Sequence, residues 1–538
     1  ARIETKQGRH AGMEPYTYQI KKTNMKMIKQ LGVLFLTSIC LQANAEGFSP
    51  ASMEQLKMQR LWLQSQNASG MVFDDTTRFS NLVMNYHLQD GNFHRPQEGA
   101  KESTIGVSSE GFMKLKKALV WGSFSFQQRN LTDAGYNASI TDPFRGMPYY
   151  IIDEHQSDWR NQYYDLRFRA STPLMDNGLS FGVEGVYQAS LSAKQRDPRV
   201  DTRFYTLKMV PSISYQVNEA HRLGLSLRYE SIKEDSRMEN ENSDIDQNYY
   251  LLYGLGTAVQ GIGSGRTTNY YGDRWGGALQ YHFDSSVWDF FVEGSYDVRA
   301  ENVEQSFTSP KKDAGVKDKT FQLSLTTYRK GKHYSQYLKT IYTNRHIDGI
   351  QYVSKYDNSE SLDGWEVLHK SIRSTYNTNQ ASVHYTLMRN RGNEYNWKLE
   401  TELAYSKQKD QYILPYSVKS SENILFHVGG KKNLIVGKKM NKRLLIDLHA
   451  SYKKNLSGEY RYGGSHPEYI SVTELETSDA NYLNSDWHRI GGSLTYSQMI
   501  KADAKTNFFV KASYDHVGTS DFNYNKRNHF TLSMGCHF

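Results

Sequence analysis

The sequence predicts an all-β fold, a transmembrane antiparallel up-and-down β-barrel of about eighteen strands with a short N-terminal helical or plug segment. Three observations lead there. Runs of about ten to fifteen residues alternate apolar and polar side chains from residue 78 onward. The connections between the runs are short and long by turns. The chain closes on HFTLSMGCHF, residues 529–538, where Phe530, Leu532, Met534, Cys536 and Phe538 share one face of the alternation.

Composition supports the same reading. A length of 538 residues exceeds one ordinary core, yet only 38% of them are hydrophobic, and 39 tyrosines stand against 11 prolines. A barrel reconciles these facts, because lipid-facing and lumen-facing positions alternate and the average hides the apolar face. Two cysteines leave no disulfide framework. The net charge of +8 is spread along the chain in both signs, so no nucleic-acid partner is expected.

In chain order, residues 1–24 precede a good start methionine and read as a non-native extension. Residues 25–45 read as a signal peptide: Met25-Lys26-Met27-Ile28-Lys29 is a basic region, Leu31 to Leu41 is apolar, and Ala43-Asn44-Ala45 fits a cleavage site. No other run reaches the length of a membrane helix. Residues 46–77 differ from the rest. Met53, Leu56, Leu61 and Leu63, with Trp62, suggest a short amphipathic helix, and Asn67-Ala68-Ser69-Gly70 suggests a turn. This segment reads as a plug or a docking segment.

Residues 78–538 read as the barrel. Leu179, Phe181, Val183, Gly185, Tyr187 and Ala189 form one apolar stripe, and Leu223, Leu225, Leu227 and Tyr229 another. Further stripes run from Phe290 to Val298, from Leu444 to Tyr452 and from Phe508 to Tyr514. The strands are expected near 78–88, 102–115, 118–130, 161–173, 178–191, 202–216, 220–233, 272–284, 288–302, 318–330, 333–347, 376–389, 394–408, 421–438, 443–456, 487–501, 506–516 and 528–538. Tyr249 to Gly263 is a candidate extra hairpin within the long connection 234–271. A soluble sandwich shares the alternation but gives no reason for short turns at one end and long loops at the other.

The lipid face fixes the lumen face. Candidate lumen-lining residues are Arg167, Arg169, Lys208, Arg222, Arg228, Glu230, Glu293, Asp297, Arg299, Lys398, Glu400 and Glu402. Both signs occur, so an aqueous channel and a salt-bridged or plugged lumen both fit. The last strand must pair with the first to close the barrel. Phe530, Leu532, Met534 and Phe538 resemble the C-terminal signal by which outer-membrane barrels are recognised for assembly.

No catalytic or metal-ligand spacing stands out, and no cofactor is expected. Gly261-Ile262-Gly263-Ser264-Gly265 lacks the lysine of a phosphate loop and reads as a loop tip. Asp153-Glu154-His155 reads as a solvated acidic triplet.

Arg60-Leu61-Trp62-Leu63, the Ser65 to Gly70 stretch and the terminal strand to Phe538 together resemble an uncharacterised family of outer-membrane barrels from Bacteroidota-type bacteria, of about this chain's length. The resemblance implies an outer-membrane location and partnership with outer-membrane lipid and the barrel-assembly machinery. It also implies an accessory role in nutrient uptake beside a TonB-dependent transporter or a surface lipoprotein. The expected function is a diffusion channel or partner barrel without enzymatic activity. The alternative is an outer-membrane hydrolase with its residues scattered over strands and loops.

Overall fold

Eighteen strands pair side by side into one closed antiparallel sheet in the computed structural model, which describes residues 48–242, 244–306, 309–358, 364–437, 441–500 and 506–538. The expected signal peptide and the residues before it lie outside the described residues. A helix, α1 (Pro50–Gln59), comes first. The first half of the barrel is β1 (Phe79–Asp90), β2 (Lys101–Lys114), β3 (Leu119–Ala134), β5 (Ser157–Ser171), β6 (Leu179–Lys194), β7 (Arg199–Gln216), β8 (His221–Glu239), β11 (Gly265–Asp284) and β12 (Trp288–Gln305). The second half is β13 (Lys311–Arg329), β14 (Tyr334–Asp357), β15 (Gly364–Arg391), β16 (Glu394–Tyr412), β17 (Ser417–Val436), β18 (Lys442–Arg461), β19 (Trp487–Met499), β20 (Asn507–Gly518) and β21 (Lys526–His537). The remaining strands, β4 (Ile151–Ile152), β9 (Gln247–Gly254) and β10 (Thr257–Gly263), form a separate three-stranded sheet.

Closure comes from β21 lying against β1, with Met534 opposite Met84 and Phe530 opposite Leu88. The last residue takes part. Phe538 N–H donates to Ser80 O at 2.8 Å, and Ser80 N–H donates to Phe538 O at 3.1 Å. A barrel in lipid cannot leave this edge open, since no water is there to satisfy its amides and carbonyls.

Burial is inverted relative to a soluble protein. Leu448, Leu279 and Trp275 are 64–67% exposed on the outer face, while Glu184 and Gln280 on the inner face are 2–4% exposed. On β7 the outward row runs from Tyr205 to Tyr215, both exposed at 40% or more. Ten residue steps at about 3.3 Å, tilted by about 40°, give roughly 25 Å along the barrel axis, the height of an apolar membrane band.

Several strands run well past that band. β15 has 28 residues where a crossing needs about ten. Much of the polar stretches 234–271, 303–317 and 348–375 is therefore strand rather than loop. Alternation fades there because both faces of the sheet meet polar surroundings. Gly261 to Gly263 ends β10 and Gly265 starts β11, so the expected loop tip is a strand junction.

The long connections fold over the barrel mouth. Arg145, between β3 and β4, donates to Glu234 of β8 at 2.9 Å and to Glu301 of β12 at 2.6 Å. Arg345 of β14 donates to the Arg145 carbonyl at 2.9 Å. Ile151 pairs with Leu251 of β9, and the following turn receives Tyr460 of β18 from across the mouth, whose hydroxyl donates to Leu255 O at 3.3 Å. Residues Ser471–Glu476 and α2 (Thr477–Asn484) pack beside this sheet, with Ser471 Oγ donating to Gly256 O at 2.7 Å. Asp153 is fully buried and paired with Lys194 at 2.5 Å, which corrects its reading as a solvated acid. Its partner lies 41 positions away, beyond any local pattern.

Candidate functional site: the segment inside the barrel

The segment from Phe48 to Thr77 crosses the lumen at the short-turn end. Its helix starts where the sequence says it should. Ser49 caps α1, accepting from Ser52 N–H at 3.1 Å, and Pro50 fills the first helical position. Helix α1 ends at Gln59, so Leu61, Trp62 and Leu63 lie beyond it rather than on one amphipathic face. The helix is walled on several sides by the barrel, and Ala51, Met53, Gln55 and Leu56 are all buried.

Polar side chains anchor the segment around the wall. Glu54 receives Lys431 Nζ at 3.2 Å, Lys398 Nζ at 3.3 Å and the Tyr395 hydroxyl at 2.9 Å. Burial alone would raise the Glu54 carboxyl. The two ammonium groups and the hydroxyl outweigh it and hold the group at about 2. Lys57 pairs with Glu110 of β2. Ser49 Oγ donates to Glu394 at 2.8 Å, and Gln59 Nε2 donates to Tyr328 Oη at 2.9 Å.

Trp62 is the apolar centre. It is wholly buried, lies 4.9 Å from the Phe291 ring and 5.5 Å from Phe73, and donates Nε1–H to His282 Nδ1 at 3.0 Å. Asp74 ties the segment back on itself by accepting the Trp62 and Leu63 amides at 3.1 and 2.7 Å. Burial, only partly offset by these amides and by Arg60 and Arg222, pushes the Asp74 carboxyl up to about 7. Arg60 is also wholly buried, stacked over Phe79 and Phe112 at 4.9 and 4.5 Å, and burial lowers its pKa from the ordinary value.

Asn67 is the wedge. Its Nδ2 donates to Ile213 O, Leu225 O and Gln280 Oε1 at 3.0–3.3 Å, while Oδ1 accepts Ser69 Oγ–H and Gly70 N–H. Ser69 then meets the wall through Ser212 and Ser180, both at 3.1 Å. Three glycines make this approach sterically feasible. A Cβ at Gly182 would stand 2.3 Å from Ser69 N, one at Gly224 2.7 Å from Asn67 Nδ2, and one at Gly70 1.8 Å from the Trp62 ring.

The twelve charged residues expected to face the lumen divide among three tasks. Arg169 donates to Leu63 O at 2.8 Å and pairs with Glu184. Glu293 accepts the Gln66 amide at 3.0 Å, Arg228 bonds Gln66 and pairs with Asp297 at 2.8 Å, and Lys398 bridges Glu54 and Glu400. These groups grip the segment or steady its anchors. Arg222 pairs with Asp284 at 3.0 Å and lies under the Phe73 ring. Toward the loops, Arg299 joins Glu301 and Asp318 at 3.3 and 3.1 Å. The others pair along the wall: Arg167 with Asp165, Lys208 with Glu184 and Glu230 with Arg274. Glu402 stands opposite His427 in the ladder of β16 and β17. Sequence reasoning missed Glu54, Arg60, Asn67 and Asp74 as anchors. The signal available was a run of polar residues bracketing Trp62 just outside the first strand.

Among solved structures the chain is similar to the ferric preacinetobactin receptor BauA of Acinetobacter baumannii, with TM-score 0.40, 7% identity, and coverage of 86% of this chain and 80% of that one. It is similar to the alcaligin outer-membrane receptor FauA of Bordetella pertussis, with TM-score 0.40, 8% identity, and coverage of 86% and 76%. It is also similar to OpdK of Pseudomonas aeruginosa, solved with vanillate, with TM-score 0.34, 8% identity, and coverage of 86% and 99%. No curated protein matches. Residues 68–538 match the sequence model described as "Family of unknown function (DUF6850)", and the chain belongs to that family.

Proposed function

We propose that the chain is a non-enzymatic outer-membrane barrel with a transport role, in which residues 48–77 plug the lumen. The short turns then face the periplasm and the long loops face outside. One observation carries this reading. A single continuous segment is held across the lumen by side-chain hydrogen bonds and ion pairs, not by strand pairing. Such bonds are individually worth about 1 kcal/mol and exchange readily with water, whereas a barrel ladder cannot open in lipid. A partner from an uptake complex, a TonB-dependent transporter or a surface lipoprotein, would act by drawing the segment off its anchors.

Solute uptake into proteoliposomes tests the proposal. The full barrel should admit small solutes no faster than empty liposomes and a barrel lacking residues 48–77 quickly, with both variants showing heat-modifiable gel mobility as proof of folding. Equal uptake by the two would sink the plug. Turnover of lipid or peptide substrates by the refolded barrel would overturn the non-enzymatic part.

A further inference from the structure

At the loop end, far from the plug, a cavity of about 260 Å³ lies between the inward-folded connections and the wall made by β14 to β17. One side is a polar shelf. Tyr376 stands opposite Asp410, and Thr378 opposite Gln408, across the ladder of β15 and β16, and all four line the cavity. The other side is mostly apolar, with Phe144, Met147, Leu252, Leu255 and Leu475.

Asp410 is the unusual member of the shelf. It is 2% exposed. Its Oδ2 accepts Gln408 Nε2–H at 2.6 Å, while Oδ1 is buried without a hydrogen-bond partner. The cations that share the cavity make their hydrogen bonds elsewhere, although Lys419 lies within electrostatic reach of Asp410. Lys419 donates to Glu476 at 2.5 Å and to Asp479 at 3.0 Å, Arg95 clamps Asp479 at 2.6 and 3.0 Å, and Arg345 pairs with Asp318 at 2.8 Å. Glu476 and Asp479 are thus compensated, and among the described residues Asp410 has no ion pair. A carboxylate withdrawn from water takes up a proton unless a charge or a strong donor meets it.

We propose that this cavity binds a small organic cation, its ammonium N–H donating to Asp410 Oδ1 and its apolar body resting on Phe144, Met147 and Leu252. The volume equals that of about nine water molecules, which suits a solute the size of a short amine or an amino-acid side chain. The shelf supplies the charge and the orientation. The connections above supply the apolar cover, so a neutral alcohol of the same shape gains the contacts without the ion pair. The inference does not depend on conduction through the lumen.

Isothermal titration calorimetry on the full, refolded barrel in detergent tests it, with 2-phenylethylammonium as the probe and 2-phenylethanol and glucose as neutral comparisons. The ammonium should bind, and the alcohol should bind at least about tenfold more weakly. Asp410→Asn, nearly the same shape, should reduce ammonium binding to the level of the alcohol. Equal binding of ammonium and alcohol to the unaltered barrel would overturn the proposal without any variant. Unchanged ammonium binding by Asp410→Asn, glucose binding in place of the ammonium, or no heat with any probe would overturn it equally. Should Asp410→Asn fail to fold, the comparison of ammonium with alcohol on the unaltered barrel decides.

Discussion

The two ends of this barrel are obstructed in different ways. The short-turn end is closed by one segment, residues 48–77, that belongs to no strand and is fastened by side chains such as Glu54, Asn67 and Trp62. The loop end is narrowed by connections far apart in sequence, woven into the strands they join and locked by buried pairs such as Arg145 with Glu234 and Glu301. The first closure can leave as a unit while every ladder bond stays intact. The second cannot leave without unfolding strand ends. On the proposed function, movement that opens the lumen therefore belongs to the plug, and the loop end is the better place for a preformed cavity.

The sharpest way to break this contrast is to fill the gap that the plug needs. Gly182→Leu places a side chain where the Ser69 backbone stands, 2.3 Å from the new Cβ, and no rotamer of Leu relieves it. Overpacking of this kind costs about 1–3 kcal/mol or more, and the plug rather than the barrel should yield. Proteolysis within residues 48–77 should become rapid while the heat-modifiable barrel persists. Loss of the barrel itself would show that plug and wall are one folding unit.

Trp62→Ala is next. Removing a fully buried tryptophan costs about 3–5 kcal/mol, part of it recovered by rearrangement of Phe73 and Phe291. Solute uptake should rise toward that of the truncated barrel. At the loop end, disruption of Arg145 by Arg145→Met should instead lower thermal stability with little change in uptake, because Glu234 is left buried without its ion-pair partner and Glu301 keeps only Arg299. Uptake that rises as much as in Trp62→Ala would erase the distinction between the two closures.

Smaller effects sharpen the picture through pH. Glu54 is held at about 2 in the docked plug, below its ordinary 4.5, so its contribution is complete above pH 4.5 and lost as pH falls toward 2. Glu54→Gln should loosen the plug at neutral pH by about 1–3 kcal/mol and remove this acid limb. Asp74 runs the other way. Its docked value of about 7 lies above the ordinary 3.8, so docking is favoured by protonation and weakens as pH rises from about 4 through 7. Protease sensitivity of residues 48–77 should increase over that range, and Asp74→Asn should flatten the profile. A flat profile in the unaltered protein would remove Asp74 from the account.

The barrel was legible in the sequence because lipid imposes a period of two. Every one of the eighteen expected strands has an observed counterpart, from Phe79–Asp90 to Lys526–His537, and Tyr249 to Gly263 is a hairpin. Strand ends beyond the membrane were not legible, since Gly364 to Ser374 of β15 or Gly265 to Tyr271 of β11 meet no apolar solvent that would enforce alternation. Parity gives each charge an expected face, but pairing did not follow from it. Arg169 finds Leu63 across 106 positions and Lys398 finds Glu54 across more than three hundred, and no local pattern encodes such partners. The glycines at 182 and 224 leave two strands without a side chain at these positions. Only the path of Ser69 and Asn67 explains them.

The account turns on whether the plug is what keeps the lumen shut. Single-channel recording in planar lipid bilayers, with the full barrel and the barrel lacking residues 48–77 side by side, tests this most directly. The account predicts silence from the first and stable conductance steps from the second. Steps of the same size from both, or silence from a truncated barrel proven folded by its gel mobility, would contradict it.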